Sequence, residues 1–303
     1  MHLLLLTLLL FADLFAKSTE EIVQESHLAA LNSILIFTSQ DAITSGTYNF
    51  TAIGATMDVY HIPFLYHFNS THDYNYFILG NVGYSRSYIT DGADYNGTLF
   101  SYDSDLRTYT AGIGGGARYK ISESSSLLGG MEIIYSRSGN TIKTPHDNIN
   151  AAVNNLFSSN NNENITYKFF TLAEYRPKEY KYKPYISLGY KLYQTKSSIN
   201  YDSLRSFTTQ SSVTTATIGV ETPKLYNFDE KYITLESYLN SNYLGGDIQK
   251  SLLFDNYMSL GIIGYLYTPK ALSFAKRFFL ELSTVRSRGL EGYNAGIGFS
   301  ADF

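Results

Sequence analysis

The chain ends on GYNAGIGFSADF, Gly292 to Phe303, and these residues alternate without a break. Tyr293, Ala295, Ile297, Phe299, Ala301 and Phe303 form one set. Asn294, Gly296, Gly298, Ser300 and Asp302 form the other. Successive side chains of a strand point to opposite faces, so one face is apolar and the other small and polar. In a soluble sandwich the apolar face would turn to a core. A core strand, however, seldom runs to the last residue with no polar tail behind it. The same alternation fills most of the chain, so the question is general: does the apolar face of these strands turn inward or outward?

Strand patterns with β-branched and aromatic residues recur near 46–53, 56–68, 74–86, 106–119, 125–137, 165–176, 184–194, 209–222, 231–240, 254–268, 277–286 and 291–303. Three of them show one-sided apolar sets in full. These are Tyr60, Ile62, Phe64, Tyr66 and Phe68; Tyr109, Ala111, Ile113, Gly115, Ala117 and Tyr119; and Tyr167, Phe169, Thr171, Ala173 and Tyr175.

The connections sort by parity. NSTHD (69–73), ISESS (121–125), RPKEYKYK (176–183), TPKLYNFDE (222–230) and TPKALSFAK (268–276) are short. Those between them are mostly longer and polar: 87–105, 138–164, 195–208 and 241–253. Short turns at one end and long loops at the other fit a closed barrel across a membrane, and a sandwich has no reason to produce them. The repeated Arg-Pro-Lys or Thr-Pro-Lys at three short turns points to one shared environment, where proline stops pairing and lysine stays wet. Tyr109 and Tyr119 lie ten residues apart, roughly 33 Å along a strand. At a tilt of about 45° this projects to roughly 23 Å, near the ~25 Å apolar band of a membrane barrel. The 28 Tyr and 19 Phe, with no Trp, then have a cause, because tyrosine prefers a membrane–water interface.

Residues 1–16, MHLLLLTLLLFADLFA, read as a secretory signal peptide with an apolar run from Leu3 to Phe11 and Ala16 at the cleavage site. That run is too short for a spanning helix, so any membrane crossing is made of strands. Residues 17–45 form an N-terminal segment in which Ser18 to Phe37 is the one helix expected. Ser18 and Glu21 make a capping box, and Ile22, Ala29, Ala30, Ile34 and Phe37 share a face. Residues 46–303 are the barrel. The net charge of −4 and the absence of cysteine argue against nucleic acid, disulfides and thiolate metal sites. No cofactor is expected.

With Tyr293, Phe299 and Phe303 at alternate positions up to the last residue, the chain resembles bacterial outer-membrane β-barrels of Gram-negative cells. The resemblance implies that these aromatics are an assembly signal read by the barrel-assembly machinery. An amphipathic helix followed by about 12 strands resembles, more narrowly, the translocator domain of autotransporters. Because only residues 17–45 stand between the signal and the first strand, the form expected is a solitary one without a passenger. The expected fold is therefore all-β: an antiparallel up-and-down transmembrane barrel, monomeric, embedded in outer-membrane lipid, with the helix in its lumen.

Gly112, Gly114 and Gly116 share the inward face of one strand, and Gly296 and Gly298 that of another. Such glycines leave a groove where helix 18–37 could approach, or they relieve barrel curvature. GIGGGARYK (112–120) lacks the spacing and the helix of a phosphate loop. Arg118, Glu132, Lys168, Glu174, Lys191, Glu236 and Glu281 also face inward, where both signs can pair across strands. His61 and His67 are too far apart on one strand to share a metal, and no clustered acid–base set suggests an enzyme. A structural or translocator-like role is expected. Porin-like passage of small solutes is the alternative.

Overall fold

The period-2 segments pair with their sequence neighbours. The computed structural model describes residues 43–51, 54–68, 73–95, 98–143, 162–198, 207–228, 231–268 and 277–300. The strands are β1 (Ile43–Phe50), β2 (Ala55–His67), β3 (Tyr74–Tyr95), β4 (Thr98–Lys120), β5 (Ser125–Lys143), β6 (Asn162–Tyr175), β7 (Lys183–Ser198), β8 (Phe207–Glu221), β9 (Tyr226–Phe228), β10 (Lys231–Gly246), β11 (Asn256–Tyr267), β12 (Arg277–Arg286) and β13 (Glu291–Ser300). A short helix, α1 (Asp247–Leu252), joins β10 to β11. Every pairing is antiparallel, and β1 closes on β13 with Ile43 opposite Ile297 and Asn49 opposite Glu291. Twelve strands complete the barrel, and β9 is an extra strand carried by β10 alone. The helix expected at 18–37, the signal peptide and Phe303 lie outside the described residues.

The walls are unequal. β3 and β4 run for 22 and 23 residues, whereas β1 has 8 and β12 and β13 have 10 each. Much of the segment expected as a loop at 87–105 is instead strand, with Arg86 opposite Arg107 and Tyr95 opposite Thr98. Its outer face is held by polar pairs: Arg86 donates to Asp105 at 3.0 and 2.7 Å, and Thr90 donates to Asp103 at 2.9 Å. β5 likewise continues into the expected loop as far as Lys143. β1 begins at Ile43, three residues ahead of its expected start and end.

The apolar set faces outward. Tyr60, Ile62, Phe64, Tyr66, Tyr109 and Ile113 are exposed, Ile113 to 68%. Tyrosine rings line the exterior in two rows. Tyr60, Tyr84 and Tyr109 stand side by side near the long-loop end, at 6.1 and 5.1 Å between centroids. Tyr74 and Tyr119 meet at 4.7 Å at the short-turn end. The alternate set turns inward and holds the buried polar residues.

Candidate functional site

Among the described residues, charged and polar side chains converge in the lumen. At its middle, Glu132 on β5 lies directly opposite Lys168 on β6. Lys168 Nζ donates to Glu132 Oε2 at 2.8 Å, and the two residues are 1% and 5% exposed. Asn81 on β3 donates to the other carboxylate oxygen. It reaches across Gly112, where a side-chain carbon would collide with both the Asn81 amide and the Glu132 carboxylate. Two charges out of water persist only when each is paired and hydrogen-bonded, and this arrangement meets that condition.

The inward glycines are filled by the wall itself. Phe77 lies opposite Gly116, Gly116 opposite Gly130, and Gly130 opposite Phe170. A methyl group at Gly116 would stand 2.6 Å from the Phe77 ring, and one at Gly130 2.6 Å from the Phe170 ring. The two rings, from β3 and β6, meet over this glycine floor at 6.3 Å. The backbone of β5 at Met131 and Glu132 closes on Gly114 in the same way. The pattern recurs elsewhere, with the Tyr185 ring over Gly219, Tyr238 over Gly261 and Tyr48 over Gly292. Gly296 is buried between Thr44 and Glu281 in register, and Gly298 lies opposite Phe279.

The short-turn end of the lumen carries an ionic network. Glu221 at the end of β8 and Glu236 on β10 are direct cross-strand partners, at 4% and 5% exposure. Like charges placed so repel. Arg176 sits 3.5 Å from Glu221 and 3.7 Å from Glu236, and Lys183 adds a cation 3.7 Å from Glu221. Tyr185 donates to Glu236 at 2.6 Å, Tyr265 to Glu236 at 3.3 Å, and Tyr267 and Thr234 to Glu221 at 3.3 and 3.0 Å. The Arg176 guanidinium lies 4.1 Å above the Tyr185 ring. Glu174 extends the chain of charges, 3.9 Å from both Arg118 and Arg176. Glu281 accepts a hydrogen bond from Tyr238. Lys191 lies on the inward face of β7, opposite Phe170 and Val213. Arg176, Glu221 and Tyr185 were not singled out in the sequence, because they border connections that read as plain turns. Their inward parity was the available signal.

The long-loop end holds an apolar cluster on the side of β1, β2 and β10 to β13. Tyr48, Phe50, Met57, Leu244, Ile248 and Leu252 are buried in one cluster with Phe254, Tyr257 and Leu290. α1 folds inward to reach it, with Ile248 and Leu252 at its buried face. Gly246 (φ 78°) turns the chain into α1 and Leu253 (φ 60°), in the left-handed αL conformation, turns it out. Phe50 and Phe254 stack at 6.4 Å. Of the expected assembly residues, Tyr293 is exposed on the exterior, and the Phe299 backbone pairs with Phe278.

No protein-family model matches this sequence, and no curated protein matches it. Solved structures do resemble it. The translocator domain of the autotransporter NalP from Neisseria meningitidis superposes with a TM-score of 0.59 at 10% identity, over 92% of this chain and 95% of that one. The transport unit of the autotransporter AIDA-I from Escherichia coli gives 0.57 at 11% identity, over 95% and 100%. The beta domain of the Bordetella autotransporter BrkA gives 0.51 at 8%, over 86% and 100%. At these identities the likeness is one of fold. With the apolar exterior and the ionic interior, it defines a transmembrane β-barrel of the bacterial outer-membrane type. Within that class, the twelve-strand architecture is that of autotransporter translocator domains.

Proposed function

We propose that this chain is an integral barrel of the bacterial outer membrane with a translocator-like or structural role, and that it is not an enzyme. One observation carries the reading: the barrel is inverted relative to a soluble fold. Ile113 is 68% exposed in mid-strand while Glu132, on the neighbouring strand, is 1% exposed. Water offers no reason to arrange side chains so; hydrocarbon does. The buried ion pair and the ring contact that pack along the wall from β3 to β6 support a filled interior over a wide pore. The barrel is monomeric, and its last strand is recognised during assembly through Tyr293, Phe299 and Phe303.

Two measurements test this. Ile113→Arg should cost ~2–4 kcal/mol in reversible refolding into lipid vesicles, by the depth rule for barrel exteriors. A cost near zero would refute the lipid-facing assignment. In planar bilayers the full chain should conduct poorly, and a form lacking residues 18–37 should conduct more. A full chain with a large steady conductance would instead favour porin-like passage.

A further inference from the structure

Both rims of the barrel carry cations, but in different states. At the long-loop rim Arg86 and Arg107 share Asp105, at 2.7 and 3.0 Å. At the short-turn rim, Lys120, Lys181 and Lys224 have no carboxylate within ion-pair distance among the described residues. Lys178 has only Glu123, at 3.9 Å and with both side chains exposed. In the connection from Arg176 to Lys183, Arg176 and Lys183 serve the lumen network, which leaves Lys178 and Lys181 with one acid, Glu179, between them.

Aromatic side chains stand among these lysines. Tyr180 and Tyr182 are exposed on the β6–β7 turn, and Tyr226 and Phe228 on β9. β9 has a structural cause. β8 leaves the ladder at Glu221, opposite Glu236, and the chain rejoins β10 at Tyr226, opposite Ile233. The intervening residues, with Pro223 among them, form a bulge, and β9 continues the β8–β10 hairpin past the end of β8. Lys224 lies 4.2 Å over the Tyr232 ring and Lys231 5.7 Å over Phe228. Rings that favour the interface and exposed ammonium groups therefore follow one arc of the rim, from the β4–β5 turn to β10.

We propose that this arc is a docking surface for anionic phospholipid headgroups of the leaflet that faces the short turns. Charge complementarity selects the occupant: exposed lysine ammonium groups beside interfacial tyrosines match a phosphate at headgroup depth. The proposal rests on the membrane-spanning reading, and the test separates the two. The folded full chain in detergent micelles is offered equal amounts of phosphatidylglycerol and phosphatidylcholine, and retained lipids are counted by native mass spectrometry. Phosphatidylglycerol should be kept preferentially. The combined variant Lys120→Gln, Lys178→Gln, Lys181→Gln and Lys224→Gln should lose that preference by about tenfold. Arg107→Gln with Lys196→Gln, at the other rim, should leave it unchanged. Equal retention of the two lipids, or a preference that survives the fourfold variant, overturns the proposal. So does a preference abolished by millimolar inorganic phosphate, which would assign the arc to a soluble anion. Folding into pure phosphatidylcholine vesicles, followed by heat-modifiable gel mobility, tests the membrane reading alone.

Discussion

The two ends of the lumen close by different physics. At the short-turn end two buried carboxylates face each other and are held by Arg176, Lys183 and four hydroxyl donors. At the long-loop end α1 brings Ile248 and Leu252 against Tyr48, Phe50 and Leu290. Ionic closure is directional and fails when one member is missing, because the remaining charge stays buried. Apolar closure is non-directional and weakens with the volume removed. Substitutions at the two ends should therefore differ in kind as well as size.

The largest effect should come from the ion pair at mid-lumen. Lys168→Ala leaves Glu132 in a dry site and should cost ~3–5 kcal/mol, measured by urea unfolding of barrel folded into vesicles. Replacing Glu132 and Lys168 together by leucine should recover most of that loss. If the double variant is as unstable as the single one, the pair is not the cause. Next in size is Leu252→Ala at the apolar end, at ~2–3 kcal/mol, the low side of the range for buried leucines because α1 can settle inward. Its cost should be the same in low and high salt, and a marked salt dependence would contradict the contrast drawn above. A smaller effect is expected for Arg176→Met. This side chain is partly exposed, so water screens part of the repulsion between Glu221 and Glu236. Here high salt should restore stability, opposite to its lack of effect at Leu252.

The smallest effect concerns pH and lies outside the membrane span. Hydrogen bonding from Arg86, and then from Arg107, holds the Asp105 carboxyl down at about 2 against burial, which opposes it. A depressed carboxylate stabilises the folded form above its unfolded value and loses that contribution as pH falls through its folded value. Amide protection in the β3–β4 hairpin above Tyr84, corrected for the intrinsic pH dependence of exchange, should thus be unchanged from pH 7 to 5 and fall between about pH 4 and 2. Asp105→Asn should flatten that dependence. A loss of protection of equal size in the variant would rule out Asp105 as its source.

Much of the barrel was legible because its period is 2 and its apolar face is unbroken. Tyr109 to Tyr119 and Tyr167 to Tyr175 both read as strands and are strands. The 87–105 segment was missed for the opposite reason. Above the interface neither face is apolar, so periodicity vanishes while backbone pairing continues. Asn96-Gly97, a strong hairpin dipeptide, was the signal present in the sequence. The inward charges on mid-strand positions could be picked out by parity, as with Glu132 and Lys168. Which residue partners which could not, since the Asn81 contact depends on the missing side chain of Gly112, and Arg176 lies past the end of β6. The glycines were visible as a set, but a sequence does not say which ring lies over each. That Phe77 and Phe170 meet above Gly116 and Gly130 is a matter of register.

The tall hairpin has a further consequence. β2 accompanies β3 only as far as Ile89, opposite Ala55, so from Thr90 to Tyr95 the strand has β4 on one side and, among the described residues, no paired strand on the other. A bare strand edge standing clear of the membrane is an invitation to other chains, including copies of itself, to continue the sheet. The sequence along that stretch, Thr-Asp-Gly-Ala-Asp, spaces two carboxylates around a glycine. Acidic charge repels an identical edge, and glycine weakens any strand it interrupts. The fin thus carries its own protection against polymerising, and replacing Asp91 and Asp94 with valine would remove it.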